Sequence, residues 1–89
     1  MKCVINNCFG GFSVKRSIAN KYGFDRYNVE RDNKKLIELI ESNVDCNGMC
    51  AELILVDIPD NATDYMIVDY DGCESIIYVV DGKMHRIFG

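Results

Sequence analysis

A short glycine-bearing segment carries the residue types in this sequence that are best suited to hold a ligand. Gly10 and Gly11 are adjacent, and glycine permits backbone conformations and close approaches that other residues prevent. Ser13 is a good N-cap, so a helix that begins there would direct its N-terminal N–H groups at an anion. Phenylalanines on both sides of the glycines can stack on a flat ring. We therefore predict a site for a small phosphate-bearing ligand, made by Asn7, Phe9, Gly10, Gly11, Phe12, Ser13 and Arg16.

The alternative for this segment is a tight turn between two phenylalanines of the core. The segment matches neither the Walker loop, because no Gly-Lys-Ser/Thr follows, nor the G-x-G-x-x-G fingerprint. A turn normally needs one residue with positive φ. The second glycine therefore indicates a close neighbour of the backbone, which is either a ligand or another segment of the chain.

Thiols and the single histidine are the other candidates for chemistry. Cys46 and Cys50 have C-x-x-x-C spacing, which is a poor match for a zinc knuckle, and Cys3 and Cys73 lie inside strand patterns. A dyad of His85 with a thiol or hydroxyl has no support in the spacing. We predict five reduced cysteines, no metal, no cofactor and no catalytic residue, so the protein is not expected to be an enzyme.

Charge and length exclude several classes of protein. The 89 residues predict a single domain, 1–89. The net charge of −4 argues against a nucleic-acid binder, which needs an excess of Lys and Arg. No apolar run reaches the length of a membrane span, and the first residues do not resemble an export signal. We expect a cytoplasmic protein that binds neither nucleic acid nor membrane.

Hydrophobic periodicity predicts two helices followed by a strand-rich half. The helices are expected at 14–22, capped by Ser13 and ended by Gly23, and at 33–44, capped by Asp32. The strands are expected at 2–6, 51–58, 65–70, 73–80 and 83–88, the last three separated by Asp-Gly turns. The fold class predicted is α+β, with two N-terminal helices packed on one face of a mainly antiparallel sheet that ends in a β-meander.

Tyrosines in the strand-rich half suggest a surface for protein contacts. Tyr65, Tyr70 and Tyr78 are expected to give the sheet an aromatic face, and tyrosine is enriched in interfaces. The alternative is that these tyrosines are half-buried and pack against side chains of neighbouring strands. Because a small chain has little area to enclose a ligand alone, we also expect a homo-oligomer.

Residues 1–13 (M-K-C-V-I-N-N-C-F-G-G-F-S) resemble the start of a family of short phage and prophage proteins that begin M-K-x-V-I-N-x-C-F/Y-G-G-F. The resemblance continues in Arg31-Asp32, Asn47-Gly48, residues 56–60 (V-D-I-P-D) and residues 69–74 (D-Y-D-G-C-E). It implies a phage accessory protein that acts in the cytoplasm of the host bacterium. One interpretation is counter-defence by sequestering a nucleotide immune signal in the glycine loop. The alternative is an inhibitor of a host defence complex, such as a CRISPR nuclease, that acts through the sheet face.

Overall fold

The computed structural model describes residues 1–88, which form five strands and two short helices. In chain order these are β1 (Lys2–Asn6), α1 (Arg16–Tyr22), α2 (Lys34–Glu41), β2 (Leu53–Asp57), β3 (Asp64–Tyr70), β4 (Cys73–Val80) and β5 (Lys83–Phe88). Every element expected from the periodicity is present, with the two helices and β2 shorter than predicted. No helix among these residues is long and apolar enough to cross a membrane.

The strands form two antiparallel sheets, so the predicted fold class with a single sheet is wrong. One sheet pairs β1 with β2, and the other has the order β3-β4-β5. The helices are also not N-terminal, because β1 precedes them and pairs with β2, which follows them.

The free edge of β1 explains why the two sheets do not merge. In β1 the N–H groups of residues 2, 4 and 6 point away from β2, where a third strand would pair. The Val4 N–H instead donates to the Arg31 carbonyl oxygen at 2.7 Å, and the Asn6 N–H donates to Glu74 Oε1 at 2.8 Å. Because a loop carbonyl and a carboxylate satisfy these buried donors, no strand can add at that edge.

The β1–β2 sheet lies between the helices and the second sheet, which gives three layers. On one side Val4 and Leu53 pack with helix residues such as Leu36 and Ala19. On the other side Ile5 and Val56 pack against Ile76 of β4 and its neighbours. The strands of the middle layer are therefore apolar on both faces, as expected of strands buried on both sides.

Two Asp-Gly turns connect the strands of the β3-β4-β5 sheet. Both residues of each turn have positive φ, at 53° and 87° for Asp71 and Gly72 and at 51° and 75° for Asp81 and Gly82. Positive φ at both central residues is the type I′ geometry, whose twist matches that of the flanking strands.

The helix starts differ from the sequence prediction. Helix α1 begins at Arg16 with Lys15 as its N-cap and no side-chain cap, so Ser13 does not cap it. Val14, which the prediction placed in the helix, forms an isolated antiparallel bridge with Asn47. The cap of α2 is Asn33, whose Oδ1 accepts from the Leu36 N–H, and not Asp32.

Candidate functional site

Two adjoining concavities form a groove beside the glycine loop, which we call the basic groove. The first, of about 450 Å³, is lined by residues 10–13 and Cys50. The second, of about 670 Å³, is lined by Lys15, Arg16, Asn47 and Gly48. Both share three further residues, Arg26, Tyr27 and Met49, which make the two concavities one continuous surface.

Two hydrogen bonds to the backbone of Val14, the residue that bridges to Asn47, hold Arg26 in the groove. The Arg26 carbonyl oxygen accepts from the Val14 N–H at 2.9 Å, and the Arg26 Nε donates to the Val14 carbonyl oxygen at 3.1 Å. Its guanidinium lies 5.3 Å from the centroid of the Tyr27 ring, and Tyr27 is 68% exposed. The Arg26 Nη1 also donates to the Tyr27 hydroxyl at 3.5 Å, which leaves Nη2 without a partner in residues 1–88 beside an exposed aromatic ring.

The groove is locally positive although the protein is acidic overall. No Asp or Glu within residues 1–88 lines either concavity. Lys15 is partly neutralised, because its Nζ lies 3.4 Å from Asp45 Oδ2. The pKa of Asp45 is lowered first by the N–H that Asn47 donates to it and second by Lys15. Arg16 and Arg26 have no carboxylate of the described residues within 4 Å.

The loop beside the arginines also carries backbone donors that have no acceptor in residues 1–88. Gly10 and Gly11 have φ of 125° and 94°, in the region that favours glycine. The backbone N–H groups of Gly11, Phe12 and Ser13 donate to no acceptor in the part of the chain that the structure describes. Successive N–H groups in such a loop are donors that an anion can use.

The glycines of the loop also meet other segments of the chain. A Cβ on Gly10 would lie 2.8 Å from the Cβ of Cys50, and a Cβ on Gly72 would lie 2.2 Å from the Gly11 nitrogen. The buried side chain of Asn6 holds these segments together. Its Nδ2 donates to the carbonyl oxygens of Cys8 and Gly72, and its Oδ1 accepts from the Glu52 N–H. Close packing against Cys50 therefore accounts for Gly10, whereas Gly11 has open space at its Cβ position and is favoured there by its positive φ.

Five of the seven residues predicted for the ligand site border the basic groove, namely residues 10–13 and Arg16. Phe12 and Ser13 border the groove but are buried, so neither side chain is free to stack on or bind a ligand there. Phe12 lies under the Arg31 guanidinium at 3.7 Å, and Ser13 packs against Gly48. Arg16 is the first residue of a seven-residue helix, which is too short to supply an anion site at its N-terminus.

The other two predicted residues lie elsewhere. Asn7 donates its N–H to the Glu52 carbonyl oxygen at 2.8 Å and does not border the groove. Phe9 is exposed and lies with Tyr70 and Phe88 in a separate concavity. The predicted stacking of both phenylalanines on one ligand is therefore not supported by the geometry.

Sequence reasoning missed Arg26 and Tyr27, two of the three residues that both concavities share. They lie in residues 24–31, which have no helix or strand periodicity, and Tyr27 is exposed. The available signal was the adjacent arginine and tyrosine in an irregular segment, a pair that can bind both phosphate and a ring.

The three tyrosines predicted as an interface do not share one face of the second sheet. Tyr65 pairs with Tyr78 and Tyr78 with His85, and the same face carries Ile76, which is buried against β1 and β2. The Tyr78 and His85 rings are stacked, with centroids 5.1 Å apart. Tyr70 points to the opposite side of the sheet, since side chains alternate along a strand.

The thiols differ in burial. Cys3 and Cys46 are buried and Cys50 is exposed. Burial raises the pKa of the Cys3 and Cys46 thiols, which keeps both protonated. Within residues 1–88 no group of three or more His, Cys, Asp or Glu side chains is placed to hold a metal ion.

Comparison of the chain with protein families, with curated proteins and with solved structures finds no significant match.

Proposed function

We propose that this protein is a non-enzymatic binding protein for a small phosphate-bearing ligand, which it holds in the basic groove. The observation that carries the proposal is the pairing of Arg16 and Arg26, neither neutralised by a carboxylate of the described chain, with the three free N–H groups of residues 11–13. An acidic protein that concentrates unpaired arginines in one groove has a surface suited to an anion.

A phosphate group suits these donors better than a carboxylate of a protein partner. Arginine presents a planar fork of donors that binds phosphate oxygens in a bidentate manner, and backbone N–H groups add further donors. The groove is concave and its backbone lining at Gly11 is open, with no atom within 4 Å of a Cβ built there. A compact anion can therefore approach the loop directly.

Tyr27 and Met49 favour a ligand that also carries a flat ring. Tyr27 is 68% exposed at the junction of the two concavities, and an exposed tyrosine ring can stack on a nucleobase. Met49 is unbranched and polarizable, which suits contact with aromatic groups. A nucleotide combines both features. Within the phage resemblance, the role is the sequestering of a nucleotide immune signal in the host cytoplasm.

The alternative of an inhibitor that acts through the three tyrosines receives less support. Tyr65 and Tyr78 are on the face that packs against β1 and β2, so they do not form one surface with Tyr70.

Titration of the protein with adenosine diphosphate by isothermal calorimetry tests the proposal, with adenosine and inorganic phosphate as the separate halves of the probe. We expect Arg16→Glu to weaken binding by at least tenfold, because a charge-assisted hydrogen bond contributes about 1.5–3 kcal/mol. In nuclear magnetic resonance spectra, the amide signals of Gly11, Phe12 and Ser13 are expected to shift on titration.

Lys34→Glu is the matched control, because Lys34 is an exposed cation on α2 that does not border the groove. It changes the net charge by the same amount and is expected to leave the affinity nearly unchanged. Equal losses for both variants would mean that net charge and not the groove determines binding. An absence of binding to all three probes at millimolar concentration would contradict the proposal.

A further inference from the structure

The outward side of the β3-β4-β5 sheet is a largely exposed apolar surface, which Phe9 borders at the end that carries Tyr70 and Phe88, and we call it the outer face. Register and alternation place Met66, Tyr70, Met84 and Phe88 there, together with Asp64 and Arg86. The opposite side of the same sheet covers β1 and β2 through Ile67, Ile76 and Ile87. The outer face is therefore the exposed side of this sheet. It is as apolar as the opposite side, which is buried against β1 and β2.

We propose that a second copy of this chain covers the outer face, so that two meanders pack face to face in a symmetric dimer. The exposed area is the first argument. Met66, Tyr70, Met84 and Phe88 are 57%, 76%, 71% and 70% exposed. At about 200 Å² for each side chain, they present roughly 550 Å².

Three half-buried aliphatic side chains lie between these residues, namely Val68, Ile77 and Val79. Together the apolar area approaches the ~800 Å² that each partner contributes to a standard interface. It also equals or exceeds the largest apolar patch that a soluble monomer usually exposes, about 300–600 Å².

The distribution of charge on the outer face is the second argument, and it selects a copy of this chain as the occupant. The face carries one acid, Asp64 on β3, and one base, Arg86 on β5. When the two-fold axis runs along the strands, β3 of one copy lies over β5 of the other. Asp64 then lies one outward-facing position from the partner's Arg86, a spacing of about 6.8 Å along the strand that an arginine can span.

This arrangement produces two equivalent Asp64–Arg86 pairs across an otherwise apolar interface. Both groups have donors or acceptors to spare. The Arg86 Nε donates to Ser75 Oγ at 3.1 Å, which leaves its two terminal nitrogens, and Asp64 uses one oxygen for the Tyr65 N–H. A closed, self-complementary interface follows from the two-fold symmetry.

Sedimentation equilibrium between 5 and 200 µM tests the proposal. The wild-type protein is expected to show twice the chain mass at the upper concentrations. Met66→Glu should abolish association because it buries two unpaired charges. Val44→Glu introduces a charge at an exposed apolar residue outside both the outer face and the basic groove, and it should leave association unchanged.

Charge reversal separates a face-to-face dimer of this geometry from any other assembly. Asp64→Arg and Arg86→Asp are each expected to weaken association by about tenfold or more, and the double variant is expected to recover most of the loss. Circular dichroism of each variant establishes that the fold is retained. A monomer at every concentration overturns the proposal and leaves the outer face to another protein. A dimer that survives Met66→Glu, or a double variant weaker than both single variants, also overturns it.

Discussion

Replacement of Glu74 by alanine removes the carboxylate that joins the two sheets. Glu74 is 5% exposed, yet it belongs to β4 and reaches β1 and the loop before α2. Its Oε1 accepts from the Asn6 N–H at 2.8 Å and from Arg31 Nη1 at 2.5 Å, and its Oε2 accepts from Arg31 Nη2 at 2.8 Å. The substitution therefore breaks a bidentate ion pair and leaves the buried Asn6 N–H without an acceptor. The half-buried Arg31 guanidinium keeps the Val4 carbonyl oxygen, at 3.4 Å from Nη1.

The burial and the partners of Glu74 determine how much the free energy of unfolding should fall. Removal of one partner of a buried ion pair typically costs about 3–5 kcal/mol, because the other charge stays buried and unpaired. The Arg31 side chain is 22% exposed, so water reaches part of its guanidinium and the low end of that range applies. The Asn6 N–H on the edge of β1 adds about 1 kcal/mol. We expect a loss of about 4 kcal/mol, or roughly 16–32 °C in Tm for a chain of this size.

Urea unfolding followed by far-ultraviolet circular dichroism measures this loss. Glu30→Ala is the matched control, because Glu30 is an exposed glutamate for which the structure gives no side-chain hydrogen bond or ion pair, and it should change the free energy of unfolding by less than about 0.5 kcal/mol. Addition of Arg31→Met to the Glu74 variant removes the unpaired charge. The free energy of unfolding of the double variant should therefore fall by less than the sum of the decreases in the two single variants. A loss below about 1 kcal/mol for Glu74→Ala would refute the reasoning.

Four further predictions concern local features. Gly72→Ala should lower the free energy of unfolding by about 2–4 kcal/mol, because its Cβ would collide with the backbone of the glycine loop, whereas Gly82→Ala, at a similar φ but in open space, should cost only about 1 kcal/mol. Mass spectrometry after brief iodoacetamide treatment at pH 8 should find Cys50 modified well before Cys3, which is buried. Since the folded chain raises the pKa of Cys3 above the ordinary value of 9.0, the unfolded chain releases this proton at lower pH, and the stability of the fold should fall as the pH rises above 9.0. Asn33→Ala should destabilise α2 by about 1 kcal/mol through loss of its N-cap, as measured by hydrogen exchange of the helix amides.

Local patterns in the sequence are sufficient to locate most of the elements. The turns at Asp71–Gly72 and Asp81–Gly82 follow from a dipeptide that favours positive φ at both positions, and they define the ends of β3, β4 and β5. Gly23 ends α1 in the left-handed conformation expected of a helix stop. These features depend on a few neighbouring residues, so the sequence contains the information directly.

The division into two sheets depends on contacts that no local pattern reveals. The free edge of β1 is closed by Arg31, 27 residues after Val4, and by Glu74, 68 residues after Asn6. A charged residue in a strand pattern indicates an exposed position, so Glu74 gives no sign that it is buried beneath a guanidinium. The predicted start of α1 is wrong for the same reason. The bridge between Val14 and Asn47 holds the first residues of the predicted helix in an extended conformation.

The paired glycines were the main reason for predicting a ligand site, and the structure changes what they mean. Cys50 leaves no room for a Cβ on Gly10, and the backbone of Gly72 sits against Gly11. Both glycines also have positive φ, so a valine at Gly11 would strain the loop even with space around it. A loss of binding in such a variant would not separate a ligand contact from a distorted turn. Arg16 avoids this ambiguity, because it is exposed, unpaired within the described chain and outside the loop. The case for an anion therefore rests mainly on the arginines of the groove, and the glycines are explained by the packing and the backbone conformation of the loop.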